Sequence, residues 1–174
     1  MENVVKDLND FLSDLNIFYR KLQNYHWNVC GKDFFVLHSK LEEYYDEVNK
    51  QIDEIAEHIL MLGEQPLGTM QDYLNNTCIV EAKNEKIEEK AIFENIINDL
   101  GTLLNKVTNI KEEADKQNMY ATSSLMDEYI EGYMKKLWMC RPVSPCPKTC
   151  PHLSHLSSVH KKFTKKLAKC IDKC

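Results

Sequence analysis

A chain of 174 residues is long enough for one domain with a real core and too short for two comfortable ones. Five Gly and five Pro, three of the latter gathered at Pro142, Pro145 and Pro147, leave the preceding residues almost unpunctuated, which favours long helices over a many-stranded sheet. The net charge of −5 hides an asymmetry: residues 141–174 carry Arg141 and seven Lys against Asp172, a net of +7, so the rest of the chain stands at −12.

An acidic body suits cations, and a basic tail suits phosphates or nucleic acid, though solvated helix faces explain both equally. Glu2, Asp7 and Asp10 interrupt the opening stretch, which therefore lacks the basic start and apolar run of a signal peptide. No apolar run of about 18 residues is present, so no membrane span is expected. A cytoplasmic protein follows, in which clustered cysteines stay reduced and are better read as metal ligands than as disulfides.

The first helix is drawn by Leu8, Phe11, Leu12, Leu15, Phe18, Leu22 and Tyr25, at three- and four-residue steps, and ends near Gly31. Asp33 is placed to cap the second. That helix runs through Leu37, Leu41, Tyr44, Val48, Ile52, Ile55, Ile59 and Leu62 and stops at Gly63, with Pro66 beyond. Thr69 to Leu74 predicts a short crossover helix. Ile87, Ala91, Phe93, Ile96, Leu100, Leu104, Val107, Ile110 and Ala114 mark a third long helix, and Leu125, Tyr129, Tyr133 and Leu137 a fourth. The expected fold is all-α: a four-helix bundle over residues 1–140 with one long crossover, followed by an extension over 141–174.

Chemistry concentrates in His26, His38, Glu42, Asp53 and Glu57. The last four fall within roughly a 100° stripe of the second helix, beside its apolar face. Imidazoles and carboxylates on a partly buried stripe are costly unless paired or metal-bound. His38 with Glu42 and Asp53 with Glu57 are i, i+4 pairs, yet their centres lie about 22 Å apart along the axis, so one helix cannot bring both to one ion. Two copies packed antiparallel about a two-fold axis near residues 47 and 48 would bring each copy's His38 and Glu42 to the other's Asp53 and Glu57. His26 joins from the neighbouring helix. Two imidazoles and three carboxylates suit Fe(II), Mn or Zn better than Ca or Mg. No His here has a Glu three residues before it, so a di-iron site within one bundle is disfavoured, and with it a manganese catalase or oxygenase.

The stretch Asn24-Tyr25-His26-Trp27-Asn28-Val29, then Gly31, Phe34-Phe35, Leu37-His38, Glu42, Tyr45 and Asp53-Glu54-Ile55-Ala56-Glu57, resembles the signature of the Dps family of mini-ferritins. Leu137-Trp138-Met139 is similar to that family's last helix, so the likeness spans residues 1 to about 139. The resemblance implies a hollow dodecamer of ferritin-like bundles with ferroxidase sites at dimer interfaces. His26, His38 and Glu42 would come from one subunit, and Asp53 and Glu57 from its mate. Fe(II) would be oxidised there, preferably by hydrogen peroxide, and kept inside as ferric mineral, protecting the cell from oxidative damage.

Trp27 reads as a rigid wall beside the site, a radical sink, or simple core packing. Glu42 stands where many members carry Asp, and His58 replaces an Arg often found there, so a salt bridge is expected to be lost and His58 to be a bystander. Asp127 and Glu131, at i, i+4 on the last helix, are candidates for an acidic pore where three subunits meet.

Five of the seven cysteines lie between Cys140 and Cys174, four of them in the extension. Cys146, Cys150, Cys170 and Cys174 make a candidate Zn site, with His152 and His155 as alternative ligands and Cu(I) as an alternative ion. The lysines there also suit DNA phosphates. An alternative function, DNA compaction or metal sequestration with a place at the nucleoid, would rest on this extension rather than on the histidine and carboxylate set.

Overall fold

The computed structural model describes residues 2–140. In chain order these form α1 (Glu2–Asn28), β1 (Val29–Cys30), α2 (Phe34–Met61), α3 (Met70–Asn76), β2 (Ile87–Glu88), α4 (Glu89–Lys116) and α5 (Tyr120–Cys140). The four long helices are the four drawn by apolar spacing, and α3 is the expected crossover helix. Helix α1 packs on α2 and α4, and α4 packs on α5, so the apolar stripes close on one core. At its middle, Phe11 meets the edges of Tyr129 and Tyr133, with ring centroids 5.6 and 6.5 Å away.

Two helix ends close in the same way. Gly63, at φ +84°, follows α2, and the Gly63 and Glu64 N–H groups donate to the Leu60 and Ile59 carbonyls at 2.9 and 3.2 Å. Asn118, at φ +56°, follows α4, with Asn118 and Met119 N–H donating to Asp115 and Ala114 at 3.1 and 2.9 Å. Both arrangements spend a left-handed residue to satisfy the helix's orphan carbonyls. Thr69 caps α3, its hydroxyl oxygen accepting from the Asp72 N–H at 3.2 Å. The same capping role expected of Asp33 is not found. It sits just before α2 at φ −96° and ψ 22° and makes no side-chain cap hydrogen bond, because the extended backbone that aims a capping oxygen at the first turn is absent.

The crossover is tied down by buried polar groups of α1. Asp14, fully buried, accepts at Oδ1 from the Thr77 hydroxyl (2.9 Å) and the Cys78 N–H (2.6 Å). The Asn9 side-chain oxygen accepts from the Leu67 N–H at 2.8 Å. Across the α1–α4 seam, Lys21 and Asp99 form a buried ion pair at 2.7 Å. No sequence pattern announced β1 and β2, a two-residue parallel pairing of Val29 with Ile87 and Cys30 with Glu88. It ties the end of α1 to the start of α4. Among the described residues, no helix is long and apolar enough to cross a membrane.

Candidate metal centre

His26 lies in the last turn of α1 and His38 in the second turn of α2. Between them the chain reverses at Gly31, whose φ of +133° is open only to glycine without strain. The reversal stacks the two imidazoles, with ring centroids 3.7 Å apart and planes inclined by 21°. Each ring is bonded to the other residue's backbone: His26 Nδ1 to the His38 carbonyl at 2.8 Å, and His38 Nδ1 to the His26 carbonyl at 3.0 Å.

A carbonyl only accepts, so both Nδ1 atoms carry a proton, and in the neutral imidazole the lone pair lies on Nε2. That is the tautomer of an imidazole prepared to bind a metal through Nε2, with the backbone carbonyl as its orienting partner. Phe34 stacks against the His38 ring at 5.2 Å, and Tyr45 presents itself edge-on to His26 at 5.4 Å. His26 is 7% exposed and His38 partly so. The two rings are thus held in place before any ion arrives.

The carboxylates are disposed differently. Glu42, one turn beyond His38, is exposed, and so are Asp53 and Glu57 farther along α2. Nowhere among the described residues do three His, Cys, Asp or Glu side chains of one chain converge to hold an ion. The structure therefore brings His26 and His38 together, keeps Glu42 on the same side, and leaves Asp53 and Glu57 where helix geometry put them, about 22 Å along the axis. A single subunit carries two separated parts of the expected ligand set.

Two neighbours of the site are placed otherwise than their residue types suggest. Trp27 is 57% exposed, so it is not a core residue: one helical step rotates it by about 100° from the buried His26. His58 is buried rather than a bystander, and its Nε2 is 2.9 Å from the Thr122 hydroxyl, linking α2 to α5. Burial pushes its pKa below the usual imidazole value, against the opposing charge of Glu54. On the same α2–α5 seam, the Tyr129 hydroxyl donates to Glu54, and burial followed by that bond raises the phenol's pKa. Sequence spacing had pointed to neither contact. Of the pore candidates, Asp127 is paired with Lys111 at 2.9 Å and Glu131 is exposed, both on α5. Cys146, Cys150, Cys170, Cys174, His152 and His155 lie outside the described residues.

Four long helices joined with one long crossover are the architecture of the ferritin-like class, and the ferritin-like domain family matches residues 5–143. The chain is 35% identical over 136 residues to a DNA protection during starvation protein of Porphyromonas gingivalis, covering 78% of this chain and 85% of that one. It is 36% identical over 140 residues to DNA protection during starvation protein 2 of Bacillus anthracis, covering 80% and 95%. Among solved structures, the Dps protein of Vibrio cholerae O1, described as a member of a broad superfamily of ferritin-like diiron-carboxylate proteins, superposes with a TM-score of 0.79 at 33% identity, covering 82% of this chain and 89% of that one. The chain belongs to the Dps family.

Proposed function

We propose that this protein is a ferroxidase and iron-storage subunit that oxidises Fe(II) with hydrogen peroxide at sites shared between two copies and keeps the ferric product inside a dodecameric shell. The observation that carries the reading is the reciprocal histidine lock: two stacked imidazoles are each fixed at Nδ1, with no ligand set of three completed among the described residues of the same chain. Asp53 and Glu57 of a second α2, running antiparallel, complete it, and the two-fold axis generates a second, identical site.

Iron is the substrate. The imidazoles bind Fe(II) well, while the hard carboxylates of Glu42, Asp53 and Glu57 favour Fe(III), so the donor set lowers the cost of electron loss. One peroxide accepts two electrons as its O–O bond breaks, so two ferrous ions are consumed for each peroxide. The ferric ions hydrolyse to oxyhydroxide and release protons to water. Delivery of both electrons avoids the one-electron cleavage that produces hydroxyl radical. The acidic body, at −12 over residues 1–140, attracts the cation.

Stopped-flow absorbance of Fe(II) oxidation tests this. The protein should react faster with peroxide than with oxygen, and the double variant His38→Ala, Asp53→Ala should lose the fast phase. An unchanged rate in that variant refutes the assignment. The relatives' names, with the +7 of residues 141–174, also favour DNA contact through the extension, which a salt-dependent gel shift would reveal.

A further inference from the structure

Two large apolar side chains lie in solvent on the stripe of α2 that carries the proposed ligands. Phe35 is 83% exposed and Leu60 is 55% exposed, so the core of this chain covers neither. At 100° per residue both fall inside the stripe that holds His38, Glu42, Asp53 and Glu57. Phe35 comes three residues before His38 and Leu60 three residues after Glu57, which puts one at each end of the row. Phe35 is also seated: its ring meets Phe34 edge-on at 5.5 Å, and Phe34 stacks on the His38 ring at 5.2 Å.

These positions are symmetric. Phe35 and Leu60 flank residues 47 and 48 at equal distances, as do His38 and Glu57, and Glu42 and Asp53. Two copies of α2 packed antiparallel about that point therefore set Phe35 against the partner's Leu60 at both ends, about one turn outside each ligand set. Between the ends, exposed Asp46 comes opposite the partner's Asn49, whose amide can donate to the carboxylate. A slide of one turn loses this match. In one direction Asp46 meets the partner's Asp53 and Phe35 meets Glu64, beyond the end of α2; in the other, Phe35 meets Ala56 and Leu60 meets Gly31, before its start. The register that assembles the ligands is thus one that also pairs apolar with apolar and amide with carboxylate, which identifies the occupant of this face as a second copy of the chain.

The same face needs such a contact. Glu42, Asp46, Asp53 and Glu57 are all exposed on it, so without metal the two copies bring like charges together. Apolar burial at both ends supplies an attraction that does not depend on the ion.

We infer that Phe35 of each copy packs on Leu60 of the other as an apolar clamp, which holds the two acidic faces of α2 in the metal-binding register before iron arrives. This rests on the reading of α2 as paired antiparallel across shared sites, and adds what makes that pair cohere.

Photo-crosslinking of the metal-free, full-length protein tests the contact. The benzophenone amino acid p-benzoylphenylalanine at position 35, and in a separate preparation at position 60, should give a covalent dimer on irradiation. Mass spectrometry should place the join within 57–61 for the first probe and within 34–38 for the second. Positions 35 and 60 of one helix are about 37 Å apart along its axis, so a join between them always links two copies. Joins made only elsewhere, or by neither probe, overturn the inference. Cohesion is read separately by sedimentation. Phe35→Ala should raise the concentration at which metal-free subunits separate by at least about tenfold, and Co(II) added alone should recover part of that loss. Unchanged association overturns the clamp. The two readings fail differently: joins at the expected places in protein that does not oxidise Fe(II) uphold the clamp and remove the ferroxidase, whereas rapid Fe(II) oxidation without such joins removes the clamp alone.

Discussion

Mixed shells provide a sharp test, because sharing each site between two chains makes a prediction that no intrachain site can match. Consider one population carrying His38→Ala and another carrying Asp53→Ala. Homogeneous shells of either kind contain no complete site. In a mixed two-fold pair, one site receives both defects, while the other receives His38 from the second chain and Asp53 from the first and is intact. Random association of equal amounts makes about half of all pairs mixed, so about one quarter of all sites are complete. Co-refolded or co-expressed subunits should therefore recover about a quarter of the parent protein's rapid Fe(II) oxidation, with each parent variant near background. The control mixes His38→Ala with Glu42→Ala. Both defects lie in the same half of the site, so every pair lacks a ligand at both positions and nothing is recovered. Near-zero activity in the first mixture, or equal recovery in both, refutes the antiparallel pairing of α2.

Lys21→Met should destabilise the bundle by about 3–5 kcal/mol at neutral pH, because it leaves the buried Asp99 carboxylate without the ammonium 2.7 Å away. Burial already raises the pKa of Asp99 against the opposing Lys21 charge, and a raised folded pKa means stability present at acid pH and lost as pH rises through it. The deficit measured by thermal denaturation at fixed protein concentration should thus shrink on acidification and be largely repaired by Asp99→Leu; a deficit that ignores pH contradicts it. Asp127→Asn with Glu131→Gln should slow iron uptake while leaving the ferroxidase ligands alone, and normal uptake moves the pore elsewhere. The Lys111 pair at 2.9 Å is exposed enough to neutralise Asp127 only weakly. Truncation after Met139 should remove about one zinc or copper per subunit in elemental analysis of protein purified without chelator. Equal metal in both forms would show that Cys146, Cys150, Cys170 and Cys174 hold none.

The long helices were legible because each carries its own signal. Leu8 to Tyr25 and Ala91 to Ala114 repeat at helical spacing and fall within α1 and α4, whereas Ile87, drawn into the same helix, lies in β2. Gly63 and Thr69 announced an end and a beginning through local backbone chemistry. What escaped depends on contacts across the chain. A two-residue strand such as Val29–Cys30 has no period to detect, and the Asp14 and Thr77 bond joins residues 63 positions apart. Asp33 misled because residue type alone does not set the extended backbone that capping requires. At the proposed site, residue types and spacing were readable and the geometry was not: that His26 and His38 face each other's carbonyls follows only from the reversal at Gly31. The core-packing alternative for Trp27 fails and the burial of His58 went unseen for one reason: neighbouring residues on a helix differ by about 100° and exchange buried for exposed in one step.

The disposition of the ligands bears on when the chemistry can occur. The histidines are locked within one chain, and the lock involves only backbone carbonyls and ring stacking, so it forms as soon as α1 and α2 pack. On the proposed reading, Asp53 and Glu57 become ligands only when a second α2 lies alongside. An unpaired subunit thus presents two imidazoles and one flexible carboxylate, enough for weak metal binding but too few hard oxygens to favour Fe(III) strongly. On the proposed reading, iron oxidation would in this way be conditional on assembly, confined to the place where the ferric product can be enclosed. That reading also accounts for why the strongest preorganisation falls on the two nitrogen ligands, and why the oxygen ligands remain exposed on a helix face that a partner would cover.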